Sequence, residues 1–103
     1  MTIRERVMRA RQIQQQRFAN ELGIHSNAQM TPRLLQKYAQ LDERGKAMLQ
    51  SAMERLNLSA RAYDRILKVA RTIADLDGSD TIQSMHIAEA ISYRSLDREN
   101  WGS

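Results

Sequence analysis

Hydrophobic and polar positions alternate with a helical period along most of the chain, and short oxygen-bearing residues punctuate it where helices would begin. The clearest segment follows Ser59. Tyr63, Ile66, Leu67, Ala70, Ile73 and Ala74 form an apolar stripe, while Arg61, Arg65, Lys68, Thr72 and Asp75 form the opposite face. Ser59 can cap the helix, Leu58 and Tyr63 have the spacing of a hydrophobic staple, and Gly78 falls where a left-handed cap is usually glycine. Asp64 with Lys68, and Arg71 with Asp75, are opposite charges four apart, each worth about 0.2–0.5 kcal/mol on a helix surface.

The remaining elements are read in the same way. Residues 2–21 predict a first helix with Thr2 and Glu5 at capping-box spacing and a thin stripe of Ile3, Val7, Ala10, Gln14, Phe18 and Leu22. Its other positions are mostly Arg and Gln, so it is expected to lie across a larger surface or to connect two bodies. Residues 23–31 break the pattern. Thr31 and Pro32 open a short helix to about residue 38 or 39. Asp42 caps the next, with Ala47, Met48, Ser51, Ala52 and Leu56 facing the core and Asn57 closing it. After Gly78 a loop is anchored by Ile82. Ser84 caps a last helix to about residue 94 whose apolar face is Ile87, Ala88, Ala90, Ile91 and Leu96. Residues 97–103, with Trp101, read as a tail. The organisation is one all-α domain of four to five helices: an Arg/Gln-rich helix over 1–22, a helical core over 23–96 and a flexible tail over 97–103.

Composition narrows the class. The chain has 103 residues, 42% of them hydrophobic and 5% aromatic, with four glycines and one proline, which suits a helical bundle with a modest core. It has no cysteine, so disulfides and thiolate metal sites are excluded. No apolar run approaches the roughly 20 residues of a membrane span, and no secretory signal opens the sequence; the expected address is the cytoplasm. The net charge is +4 and arginine dominates it, but acidic residues are interleaved throughout, so charge alone does not call for nucleic acid.

No catalytic set stands out. The glycines are isolated rather than gathered in a phosphate loop, and neither histidine lies near a nucleophile. His86 and Glu89 are three apart, which is weak support for a metal, and none is expected. The positive signal is Arg61. It occupies the first turn of a capped helix, where unpaired N–H groups and the dipole attract anions and disfavour a cation. That placement suits a phosphate sensor. A surface residue paired with Asp64 or Asp97 would satisfy the local pattern as well.

The run from Leu58 to Leu76 resembles the C-terminal domain of magnesium-chelatase-like AAA+ ATPases, nearest to their ComM group. His86 to Arg94, the Leu96-Asp97-Arg98 triplet, and the pattern of Val7, Ala10, Arg11, Gln14, Arg17 and Asn20 resemble it too. The resemblance implies a helical lid that closes over ATP and Mg2+ held mainly by an AAA+ core. It implies a sensor-2 arginine at Arg61, with Arg65 one turn on as a second candidate. It further implies an ATPase core in the same polypeptide, a hexameric ring of neighbouring subunits, and DNA branch migration in natural transformation. Walker A and Walker B segments are missing, so no ATP hydrolysis is expected of this chain alone. The family pattern begins at once, as in a domain excised from a longer protein. Two other readings remain open: a basic DNA-binding module using Arg4, Arg9, Arg11 and Arg17 (with Arg6), and a bundle whose arginines serve subunit contacts.

Overall fold

A short oxygen-bearing side chain takes a first-turn N–H at the start of four helices. Thr2 Oγ1 accepts from Glu5 N at 3.1 Å, Thr31 Oγ1 from Leu34 N at 3.3 Å, Asp42 Oδ1 from Gly45 N at 2.7 Å and Ser59 Oγ from Ala62 N at 3.3 Å. The computed structural model describes the backbone of residues 2–102 and the side chains of residues 2–93. The helices are α1 (Ile3–Arg17), α2 (Pro32–Tyr38), α3 (Glu43–Leu56), α4 (Ala60–Leu76) and α5 (Ser84–Gly102), with a 3-10 turn at Asn27–Gln29. The domain is small and all-α, as the helical periodicity requires.

Most helix starts follow the sequence closely, but α1 ends at Arg17 with Phe18 as its C-cap, short of the expected residue 21. Asn57 adopts φ 52°, ψ 53° and closes α3. Gly78 has φ +72°, its N–H donates to Asp75 O at 3.0 Å, and Ser79 N donates to Ala74 O at 2.8 Å. These are the two bonds of a Schellman motif. At α5 the cap lies one residue earlier than expected, at Gln83. Its carbonyl accepts from His86 N and Ile87 N, and its own N–H donates to His86 Nδ1 at 2.9 Å. A histidine here fills the role that Glu or Gln usually has in a capping box. Its other nitrogen, Nε2, lies 3.1 Å from Asp77 Oδ2 and carries the proton, because Nδ1 accepts. Helix α5 continues to Gly102, past the expected end near residue 94. The expectations for Leu96 and Trp101 lie outside the described side chains.

Helix α4 is the centre of the bundle and packs on α5, α1, α2 and the 3-10 turn; α3 packs on α5. Its Ile66, Leu67, Ala70 and Ala74 meet Leu34 and Leu35 of α2, Leu49 of α3, Ile87 and Ala90 of α5, Phe18 and Met30 in one core. Ile82 is buried as expected and pairs with Leu41 in an isolated parallel bridge. Leu58 and Tyr63, the staple pair, are half-buried against this core.

Three expected faces are met only in part. In α3 the buried line is Gly45, Leu49 and Ala52, whereas Ala47 and Ser51 face solvent and Met48 and Leu56 are half-buried. In α5, Ala88 is exposed. In α1 only Ala10 and Phe18 of the expected stripe are buried. Ile3 is 80% exposed and Leu22 fully so. The inward face is the expected one, with Ala10, Gln14 and Phe18 on it and Arg17 beside them, but the first turns are left uncovered and the contact is polar as much as apolar.

Candidate functional site

The first turn of α4 is where the sequence placed an anion. Ser59 is the N-cap, Ala60 the first helical residue and Arg61 the second. Ser59 Oγ takes the N–H of Ala62, and Tyr63 N donates to Ser59 O. Among the described residues nothing accepts from the amides of Ala60 and Arg61, so this end keeps unpaired donors. Arg61 and Arg65 are both exposed and share one face, one turn apart. Among the described residues neither is held in an ion pair or a side-chain hydrogen bond; Asp64, the nearby acid, is half-buried and does not pair with Arg61. The side chain of Asp97, the other suggested partner, lies outside those described. On the adjacent side of the helix an open groove of about 570 Å³ runs between Tyr63, Asp64 and Leu67 of α4, Lys46 of α3, and Pro32 and Gln36 of α2.

The other end of α4 carries a cluster that the sequence did not reveal. Asp75, whose helical spacing puts it on the solvent face, is completely buried. Arg17 of α1 grips its carboxylate with both terminal nitrogens, NH2 to Oδ1 at 2.7 Å and NH1 to Oδ2 at 2.8 Å. Asn27 Nδ2 donates to Oδ2 at 2.8 Å, and Arg71 NH2 approaches Oδ1 at 3.1 Å. Arg71 also donates to the carbonyls of Ser79 and Asp80 at 2.8 and 3.1 Å. The Arg71–Asp75 pair is therefore an interior one, not the exposed helix pair its spacing suggested. Burial pushes the Arg71 guanidinium below its ordinary value; the charge of Asp75 opposes this and that of Arg17 adds to it. Asn27 extends the network. Its Oδ1 accepts from Arg17 at 2.9 Å, its Nδ2 also donates to Thr72 Oγ1 at 3.2 Å, and its N–H donates to Gln14 Oε1 at 3.0 Å.

The arginines of α1 divide accordingly. Arg17 is locked to Asp75 and could reach a phosphate only by leaving a buried carboxylate without its closest partner. Arg9 is half-buried and donates to Leu76 O at 2.9 Å; Arg6 donates to the same carbonyl at 3.2 Å. Both thus satisfy the C-terminal end of α4, where cations are favoured. Arg4 and Arg11 remain exposed. Among the described residues, no three or more His, Asp or Glu side chains gather as a metal site, and no helix is long and apolar enough to cross a membrane.

Residues 1–94 match the family model described as magnesium chelatase, subunit ChlI C-terminal. The chain belongs to this magnesium-chelatase C-terminal family. The competence protein ComM of Haemophilus influenzae is 41% identical over 96 residues, which is 93% of this chain and 18% of that protein. The uncharacterized protein YifB of Escherichia coli is 42% identical over 97 residues, again 18% of its length. An uncharacterized protein of Mycobacterium tuberculosis is 34% identical over 92 residues. No solved structure matches the chain significantly. The chain thus spans about a fifth of the length of these relatives, and it is a magnesium-chelatase C-terminal domain of the ComM/YifB kind.

Proposed function

We propose that this domain is the helical lid of an AAA+ ATPase and that Arg61 reads the γ-phosphate of ATP. The observation that carries the reading is the state of Arg61: exposed, without a partner among the described residues, and beside two unpaired amides at the start of α4. A cation there is disfavoured by the helix dipole by about 0.3–1 kcal/mol. An incoming phosphate oxygen reverses the sign of that interaction and adds charge-assisted hydrogen bonds. The donor set suits an anion: a guanidinium and backbone N–H groups, with Arg65 one turn along the same face. ATP and Mg2+ would be held mainly by the ATPase core, and the lid would supply charge stabilisation of the phosphate. On this reading the core belongs to the same polypeptide, the assembly is a hexameric ring, and turnover drives branch migration or remodelling of DNA, as the family resemblance implies.

The test is steady-state ATP turnover in the full-length protein carrying Arg61→Ala, with nucleotide affinity measured in parallel. Turnover should fall by about 10²-fold, the scale for removing one transition-state donor, with binding largely kept. Unchanged turnover would transfer the role to Arg65 or remove it from this helix.

A further inference from the structure

Helix α1 uses its two halves differently. From Ala10 onward its inward side chains are engaged, through Ala10, Gln14 and Arg17, and ahead of them Arg6 and Arg9 reach back to the carbonyl of Leu76. Its first two turns instead present large apolar side chains to solvent: Ile3 is 80% exposed, Met8 51% and Val7 37%. Ile3 and Val7 are four apart and so stack on one face. Arg4 and Arg11, both exposed, run along its edge. Ile3 keeps most of its surface in water and Met8 about half of its own, Met8 lying across Arg4 and Arg11 from the Ile3–Val7 face. Such a grouping, rimmed by charge, marks a contact surface.

We propose that the first two turns of α1 dock on the body of polypeptide that accompanies this domain in the longer family members. More than four-fifths of each relative's length lies outside the matched segment, and the family match includes α1 from its first turn. The apolar patch therefore lies on the domain itself, which the relatives carry joined to a much longer stretch of polypeptide. The patch calls for an apolar surface on that body with acidic groups at its edge, opposite Arg4 and Arg11. Helix α1 then bridges two bodies, its C-terminal half fixed to α4 by Arg17 and its N-terminal half fixed to the accompanying body. The proposal rests on family membership and is independent of what Arg61 does.

Thiol labelling tests it, because the chain has no cysteine of its own. Val7→Cys, Leu22→Cys and Leu49→Cys would be placed singly in the free chain and in the Haemophilus influenzae competence protein ComM whose matching segment is replaced by this chain. Labelling is read by mass spectrometry of the modified peptide. The expected result is at least tenfold slower labelling of Val7→Cys in the longer protein than in the free chain. Leu22→Cys, on the fully exposed loop residue, should label equally fast in both. Leu49→Cys should be protected in both and so report that the domain is folded. Equal labelling of Val7→Cys in the two contexts overturns the proposal. Protection of Val7→Cys in the free chain that grows with its concentration also overturns it, since the occupant is then a second copy of the chain.

Discussion

Asp75 illustrates how far a single side chain can depart from its local pattern. At helical spacing it belongs to a stripe with Arg61, Arg65, Lys68 and Thr72, and the first half of that stripe is indeed outside. The second half is covered by α1 and the 3-10 turn, so Asp75 becomes a buried carboxylate with two arginines and an asparagine on it. A buried ion pair is poor evidence of net stabilisation, yet breaking one from one side leaves the other charge uncompensated. Asp75→Ala should therefore lower unfolding free energy by about 3–5 kcal/mol in urea titration. A loss below about 1 kcal/mol, the scale of an exposed pair, would show that the cluster is solvated. Gly78 separates two further effects. A Cβ there would lie 2.9 Å from Arg9 Cζ, and the backbone is left-handed at φ +72°. The guanidinium is the end of a flexible chain and can move, whereas the backbone strain cannot be relieved, so Gly78→Ala should cost about 1 kcal/mol or more. Most of that loss should persist in an Arg9→Ala background, and full recovery there would mean that the steric term dominates.

Element boundaries were largely legible in the sequence because caps are local chemistry. Thr2, Thr31, Asp42 and Ser59 act within three residues of themselves, as do Asn57 and Gly78 at the other ends, so nothing distant is needed to place them. Element faces were less legible, since rotation about a helix axis is decided by neighbours far away in sequence. In α3 the residues Ala47 and Ser51 are spaced like core positions, but α5 packs on the line of Leu49 and Ala52. Leu49→Ala should then cost about 2–5 kcal/mol, while Ser51→Asp, a polar change at an exposed site, should stay within about 0.5 kcal/mol. The reverse order in thermal or urea unfolding would mean that the expected register was right. The same reason hid the partner of Arg17: 58 positions separate it from Asp75, and no local pattern in either helix distinguishes a buried arginine from a solvated one. At the candidate phosphate site the position of Arg61 was legible because the N-cap, the dipole and the charge are all within one turn. The first turns of α1 were not, because Ile3 and Val7 have core-like spacing without a core opposite them.

At the scale of the molecule, α1 determines whether residues 18–102 can stand as a folded unit. Its contribution divides at about residue 9. The first nine residues supply exposed apolar side chains and two bonds to the carbonyl of Leu76, from Arg6 and Arg9. Removing them should cost about 1–3 kcal/mol, the scale of losing charge-assisted hydrogen bonds at a partly solvated site. Removing residues 1–17 is a different operation. Asp75 loses the bidentate arginine, the 3-10 turn loses Gln14 and Arg17, and Ala10 leaves the surface it covers, while Phe18, packed edge-to-face on Tyr38 at 5.5 Å, becomes the chain end. Arg71 and Asn27 stay on Asp75, but taking the closest partner from a buried carboxylate costs up to about 3–5 kcal/mol, against a total stability of about 5–15 kcal/mol for a domain of this kind. The shorter truncation should keep a single cooperative melt followed by circular dichroism, and the longer one should lose it at 25 °C. If both truncations melt alike, α1 is an appendage on an independently stable bundle. If only the longer one fails, the helix belongs to the domain's core at one end and is available to a neighbouring body at the other.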